Sequence, residues 1–121
     1  MLDNIPNEVH SGIVRRSNMP QIDFMKFLKY MNDNLIPWSY TEIHPGHLKS
    51  SQGDFSDEKI EAIKRSNEYI IPIFVTSDLF VLDGHHRWLA QLDKDAIEII
   101  KIDLMLDDAM EACKKCSTFA N

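Results

Sequence analysis

The sequence predicts an α+β domain in which helices flank a small sheet. Short β-branched and aromatic runs, such as IPIFV at residues 71–75, are interspersed with stretches whose apolar residues recur at helical spacing. The 121 residues suit one domain, and 44% hydrophobic with 26% charged residues is an ordinary globular composition. We therefore expect a single compact core built from both kinds of element.

The first half of the chain predicts a helix, a strand and a second helix. Residues 21–34 form an amphipathic pattern whose apolar stripe should face the core, comprising Ile22, Met25, Leu28 and Met31, widened by Phe24, Phe27 and Tyr30. This aromatic face fits either the core or a dimer contact, and core is the commoner use. Residues 38–44 predict a short strand. Residues 57–67 predict a helix with Ser56 as its N-cap.

The second half predicts a hairpin, a helix, a strand and a final helix. The expected ranges are 71–75 and 79–82 for the hairpin, 85–93 for the helix, 97–104 for the strand and 107–116 for the last helix. Trp88, Leu89 and Leu92 should mark the buried side of the helix over 85–93. The hairpin delivers the chain to Asp83.

Charge and hydropathy disfavour several classes of protein. A net charge of -6 disfavours general DNA binding, which uses a basic surface to neutralise phosphates. No apolar run is long enough for a membrane span, and the N-terminal residues lack a signal-peptide pattern, so we expect a cytoplasmic protein. Cys113 and Cys116 form a lone CKKC without further zinc ligands, which favours two reduced thiols on the last helix.

The segment FVLDGHHRW, residues 80–88, carries the densest group of titratable side chains in the chain. A strand that ends in Asp-Gly before a helix presents the first amides of that helix, which lack intrahelical acceptors and attract anions. Gly84 allows the tight turn, while His85, His86 and Arg87 can add donors around the same pocket. The pattern therefore predicts a phosphate site at Gly84 to Arg87.

Asp83 adds a carboxylate beside this cationic turn. It suits a Mg²⁺ ion carried with nucleotide phosphates, or a proton acceptor for an attacking hydroxyl. For Asp83 alone, a simple alternative is an N-cap that pairs with Arg87. A transition-metal site is disfavoured, because adjacent histidines on a helix point about 100° apart.

The DGHHRW segment resembles the phosphate-binding turn of the ParB/sulfiredoxin superfamily. The resemblance spans roughly residues 36–106 and is strongest in IHPGHLKSSQ at 43–52, IPIFV at 71–75 and VLDGHHRWLA at 81–90. It implies a small mixed sheet flanked by helices, in one domain over residues 1–121. On this view residues 1–35 form an N-terminal arm and helix, and residues 107–121 contain the C-terminal helix.

Within the superfamily, the turn is most similar to the free-serine kinase branch. The sulfiredoxin cysteine is replaced by His85, and the Gly-Glu-Arg-Arg of ParB proteins by Gly84 to Arg87. The kinase likeness implies catalytic roles for Asp83, His85 and His86, nucleotide contacts from residues 84–87, Lys49 and Gln52, and a metal at Asp83. Gln52 stands where that branch has its glutamate base, and glutamine takes no proton. Small phage-encoded ParB-like proteins are also similar.

Two classes of function are implied by the resemblance. One is a nucleotide-binding domain for ATP or ADP, or for CTP, with Mg²⁺, acting as an NTPase or phosphorylating a small hydroxyl-bearing compound. The other is a non-catalytic interaction or regulatory module that keeps the fold and binds a protein partner, which the substitution at Gln52 favours. A ParB-like nuclease is disfavoured by the acidic charge.

Overall fold

The computed structural model has five strands and four α-helices in the part of the chain that it describes, residues 23–51, 55–66 and 70–116. The strands are β1 (Trp38–Ile43), β2 (Lys49–Ser50), β3 (Ile73–Val75), β4 (Phe80–Asp83) and β5 (Ile97–Ile102). The helices are α1 (Phe24–Asp33), α2 (Asp57–Arg65), α3 (His85–Leu89) and α4 (Leu106–Lys115). The predicted α+β class is confirmed. None of the described helices has the length and apolar character required to cross a bilayer.

The strands form one mixed sheet in the order β1-β5-β3-β4-β2. β1 pairs antiparallel with β5, and β3 pairs antiparallel with β4, which confirms the predicted hairpin. β5 and β3 run parallel, as do β2 and β4. β2 was not predicted, because two residues carry no readable periodicity and this strand exists only through its pairing with β4.

Each face of the sheet is covered by two helices, which explains the continuous apolar run in β3. Ile73 and Val75 pack in a cluster with residues of α2 and α3, whereas Phe74 packs with residues of α1 and α4. β5 divides in the same way, with Ile97 and Ile99 on the first face and Ile100 and Ile102 on the second. Strands buried on both faces lose the polar alternation of a half-exposed strand.

The long helices begin and end close to their predicted limits. Ser56 caps α2 as predicted, since its side chain accepts from the amide of Lys59. In α1, Phe27 and Met31 are fully buried, but Met25 is 71% exposed, so the prediction that Met25 faces the core was wrong. The ring of Phe27 meets Phe74 edge-on at 5.2 Å, which places the aromatic side of α1 in the core.

α3 and β5 are shorter than predicted. α3 ends at Leu89 and continues as turns, although Trp88 and Leu89 are buried as expected. β5 ends at Ile102. Cys113 on α4 and Cys116 directly after it are buried and form no disulfide within the described residues, in agreement with two reduced thiols.

Asp78, in the turn between β3 and β4, holds the start of α4. Its Oδ1 accepts from the Leu106 amide at 3.1 Å and from the Thr76 hydroxyl at 2.5 Å. The residue at the N-cap position of α4, Met105, has no side-chain acceptor of its own. A carboxylate from another element thus takes over the capping role and adds a favourable charge at the helix N-terminus.

We expect Asp78→Ala to lower the free energy of unfolding by about 1–2 kcal/mol, because it removes this cap and leaves the Thr76 hydroxyl with a weaker partner. Chemical denaturation at neutral pH measures the effect. Asp95→Ala is the matched control, since Asp95 is an exposed loop carboxylate whose loss should change stability by less than about 0.5 kcal/mol. Equal effects of the two substitutions would contradict the tertiary cap.

Candidate functional site

Gly84 makes the turn between β4 and α3 possible. Its φ of 90° and ψ of 29° lie in the left-handed region, which is open to glycine and costly for other residues. A Cβ at this position would lie 2.6 Å from Cγ2 of Ile73 and 2.7 Å from Nη2 of Arg87. The turn is therefore packed against the core on one side and covered by a guanidinium on the other.

Asp83 and Arg87 face each other across this turn. Arg87 Nη2 lies 3.6 Å from Asp83 Oδ2, and the two side chains are 26% and 22% exposed. Burial raises the pKa of Asp83 even though Arg87 and the Gly84 amide oppose the shift. The Nε of Arg87 is buried and has no hydrogen-bond partner among the described residues. Gly84, rather than Asp83, occupies the N-cap position of α3.

His85 is buried beneath the turn instead of lining it. Its Nε2 accepts from the Ser51 amide at 3.3 Å, and the Ser51 hydroxyl, which donates to the Val81 carbonyl, lies 3.3 Å from the same nitrogen. Burial, with a smaller contribution from the neighbouring His86, lowers the pKa of His85 to about 3. The ring is neutral at pH 7, whereas the sequence suggested a donor to a bound anion.

His86 contacts the main chain directly before α2. Its Nε2 accepts from the Ser56 amide at 2.9 Å, at the N-cap of α2. The Phe55 ring lies against both imidazoles, with centroid distances of 6.2 Å to His85 and 6.3 Å to His86. The two adjacent histidines therefore attach Ser51 and Ser56 to the first turn of α3.

Lys49, another predicted site residue, is not brought to the turn by the described contacts. The Lys49 ammonium lies 4.4 Å over the centre of the Phe80 ring, three residues before Asp83 on β4. Gln52 lies outside the described residues. Ser51 and Ser56, which do contact the turn, were missed as site residues because the pairing of a histidine with a distant amide leaves no signal in sequence spacing.

The start of α3 is also tied to the PGH segment that follows β1. The indole nitrogen of Trp88 donates to the Pro45 carbonyl at 2.8 Å, within a 3₁₀ turn over Pro45–His47. The first hydrogen bond within α3 runs from the Trp88 amide to the Gly84 carbonyl. The amides of residues 85–87 precede that bond, so they are the donors at the N-terminal end of the helix.

Among the described residues, a magnesium ion fits the turn only if phosphate oxygens supply most of its ligands. They contain no group of three or more His, Cys, Asp or Glu side chains arranged to hold a metal. Mg²⁺ is nevertheless commonly bound by one or two carboxylates together with substrate phosphates and water. Asp83 can serve as that single protein ligand, and phosphate oxygens would have to supply the others.

A cavity of about 690 Å³ lies beyond the other end of α3. Gln91 and Lys94 are among the residues that line it. The Gln91 amide donates to the Arg87 carbonyl at 2.9 Å, while its oxygen accepts from the Lys94 ammonium at 3.3 Å. The wall of this cavity is thus hydrogen-bonded to the main chain of the turn.

Comparison with known proteins gives one remote likeness. No family model matches the chain, and no curated protein matches it. Among solved structures, the chain is similar to one described as the pNOB8-like ParB N-domain, with 17% identity and a TM-score of 0.46. The match covers 69% of this chain and 34% of that chain. A likeness this distant assigns no activity to the chain.

Gly84→Ala should destabilise the fold by roughly 2 kcal/mol or more, since it combines a left-handed backbone with a Cβ that overlaps Ile73 in the core. Thermal unfolding followed by circular dichroism measures the change. Gly46→Ala is the matched control, because its Cβ would approach only the His44 ring, at 3.1 Å, and that side chain can move. A smaller loss at Gly84 than at Gly46 would contradict the role of the turn.

Stability should depend on pH through His85. The unfolded residue takes up a proton below its ordinary pKa of 6.5, whereas the folded residue stays neutral down to about pH 3. The stability that neutral His85 contributes is therefore fully present above pH 6.5. As the pH falls below that value, the free energy of unfolding decreases by up to about 1.4 kcal/mol per pH unit.

Denaturation curves at pH 7.0, 6.0 and 5.0 test this dependence. His85→Gln keeps an acceptor for the Ser51 amide but cannot titrate, so its stability should fall less steeply with acid than that of the wild type. His47→Gln, at an exposed position, should keep the wild-type slope. Parallel curves for His85→Gln and the wild type would show that His85 titrates normally.

Proposed function

We propose that the turn from Asp83 to Arg87 binds the phosphate groups of a nucleotide together with Mg²⁺. The observation that carries the proposal is the Asp83–Arg87 pair, held over a left-handed glycine at the start of a helix and about one quarter exposed. The pair is long at 3.6 Å, so neither charge is fully compensated by the other. A phosphate that accepts from Arg87, with a cation beside Asp83, would compensate both.

The electrostatics of Asp83 support this assignment. Its raised pKa means that the ionised carboxylate is less favourable in the folded chain than in water. A buried carboxylate that costs stability is more often found at functional positions than elsewhere, and a metal cation would reverse the cost. In this proposal Asp83 also accepts the proton when a hydroxyl attacks a bound phosphate.

His85 and His86 have positioning roles in this proposal. Each accepts a hydrogen bond from a main-chain amide of the segment before α2, so they set the position of Ser51 and Ser56 beside the turn. Contacts from Lys49 and Gln52 to a nucleotide stay predictions, as does the choice among ATP, ADP and CTP.

Calorimetric titration of the full chain with ATP, ADP and CTP in the presence of Mg²⁺ tests the proposal. We expect at least one nucleotide to bind in the micromolar range. Arg87→Ala should weaken it at least tenfold, or about 1.4 kcal/mol, because a charge-assisted contact to phosphate is lost. Asp83→Asn should remove the dependence on Mg²⁺, and release of inorganic phosphate would report any turnover.

Two controls separate binding from folding. Arg65→Ala removes the same charge at the far end of α2, roughly 13 Å along the helix from Ser56, and should leave binding unchanged. Asp83→Asn should unfold at the same or a higher temperature than the wild type at pH 7, since it replaces a disfavoured carboxylate by a neutral group. Absence of binding at high micromolar nucleotide would reject the proposal, as would unchanged binding by Arg87→Ala.

A non-catalytic interaction module is the second candidate. It is favoured by the contacts that the turn makes within the chain, since both histidines accept from main-chain amides and Arg87 lies 3.6 Å from Asp83. On this alternative the polar cluster holds the β4–α3 joint together and has no ligand. The titration distinguishes the two, because this candidate requires that none of the nucleotides binds.

A further inference from the structure

The main chain at the end of α3 departs from the helical hydrogen-bond pattern at Gln91. Amides in an α-helix donate to the carbonyl four residues earlier, as the Ala90 amide does to the His86 carbonyl at 3.0 Å. The Gln91 amide instead donates to the Trp88 carbonyl, three residues earlier, at 2.9 Å. The Arg87 carbonyl therefore loses the main-chain donor that a continuing helix would give it.

The side chain of Gln91 takes the place of that donor. Its Nε2 donates to the Arg87 carbonyl at 2.9 Å, and Gln91 is only 7% exposed. The Lys94 ammonium donates to Oε1 of the same amide at 3.3 Å. An ammonium group can only donate and a carbonyl can only accept, so a flipped amide would lose both contacts. The two neighbours therefore hold the Gln91 amide in one orientation.

This contact bears on the turn because the guanidinium of Arg87 lies over Gly84. Side chains on a helix point back toward its N-terminus, and Nη2 of Arg87 lies 2.7 Å from the position of a Cβ at Gly84. α3 has only five residues, a length at which a helix depends on contacts outside itself. The tight turn at Gly84 fixes its start, and the Gln91 side chain holds the Arg87 main chain near its end.

We infer that Gln91 is a positioning residue for the phosphate site, which holds the Arg87 guanidinium beside Asp83 by binding the Arg87 carbonyl. This inference rests on the proposed function of the turn and adds to it a residue that acts only through Arg87. Lys94 supports Gln91 by orienting its amide. A purely structural role predicts that loss of the amide lowers stability alone, whereas a positioning role predicts that the Arg87 side chain changes as well.

NMR of the Arg87 side chain tests the inference without any ligand. The Nε of Arg87 is buried, so its hydrogen should exchange slowly with water and give a resolved ¹H–¹⁵N signal, assigned by its loss in Arg87→Ala. Gln91→Met keeps the length of the side chain and removes the amide. It should broaden or abolish this signal while the circular dichroism stays unchanged. An unchanged signal in folded Gln91→Met would overturn the inference, as would its absence from the wild type.

Asn34→Leu is the matched control for Gln91→Met. The Asn34 side chain also donates at 2.9 Å to the carbonyl four residues earlier, that of Tyr30, at the end of α1. Its loss should leave the Arg87 signal as it is in the wild type. Equal losses of the signal in the two variants would show a general loosening of the fold and contradict the inference.

Two lysine variants test the orientation of the Gln91 amide. Lys94→Met removes the donor to Oε1 and should broaden the Arg87 signal, though less than Gln91→Met does. Lys64→Met removes another ammonium group that lines the same cavity and should leave the signal unchanged. Equal effects of the two lysine variants would contradict the role given to Lys94.

A double-mutant cycle connects Gln91 to the ligand. With a nucleotide that binds the wild type, Gln91→Met should weaken binding about threefold to tenfold, the range expected for one hydrogen bond. In the Arg87→Ala background the same substitution should change the affinity by less than about twofold, because the residue through which Gln91 acts is already removed. Additive effects would overturn the inference. If the wild type binds no nucleotide, the proposed function fails, and the NMR signal still decides whether Gln91 positions Arg87.

Discussion

The left-handed conformation of Gly84 is the constraint on which the rest of the turn depends. It lets β4 end and α3 begin without an intervening loop, so that the core residues Trp88 and Leu89 follow Asp83 almost at once. The same conformation brings Arg87 back over the turn and presses the main chain against Ile73. A side chain at this position would overlap both Ile73 in the core and Arg87 in the charged pair. The geometry of the charged pair and the packing of the core are therefore linked through Gly84.

The polar residues of the turn could be located from the sequence, but their roles could not. A run of two histidines and an arginine beside a helix start suggests a cationic pocket, and only long-range contacts decide otherwise for the histidines. His85 is neutral because its ring is buried and accepts from Ser51, 34 residues earlier in the chain. Sequence spacing gives the identity and the order of these groups. It does not give their burial, and burial determines their protonation.

The fold was predictable where local signals determine it. Ser56 caps α2 and the turn at Asp78 separates the strands of the hairpin, and both features depend on residues within a few positions of each other. Prediction failed where an element depends on its neighbours. β2 is a strand only because it lies beside β4, and Met25 is exposed because the core lies on the side of Phe27. Three-residue spacing alone did not define which side of α1 was buried.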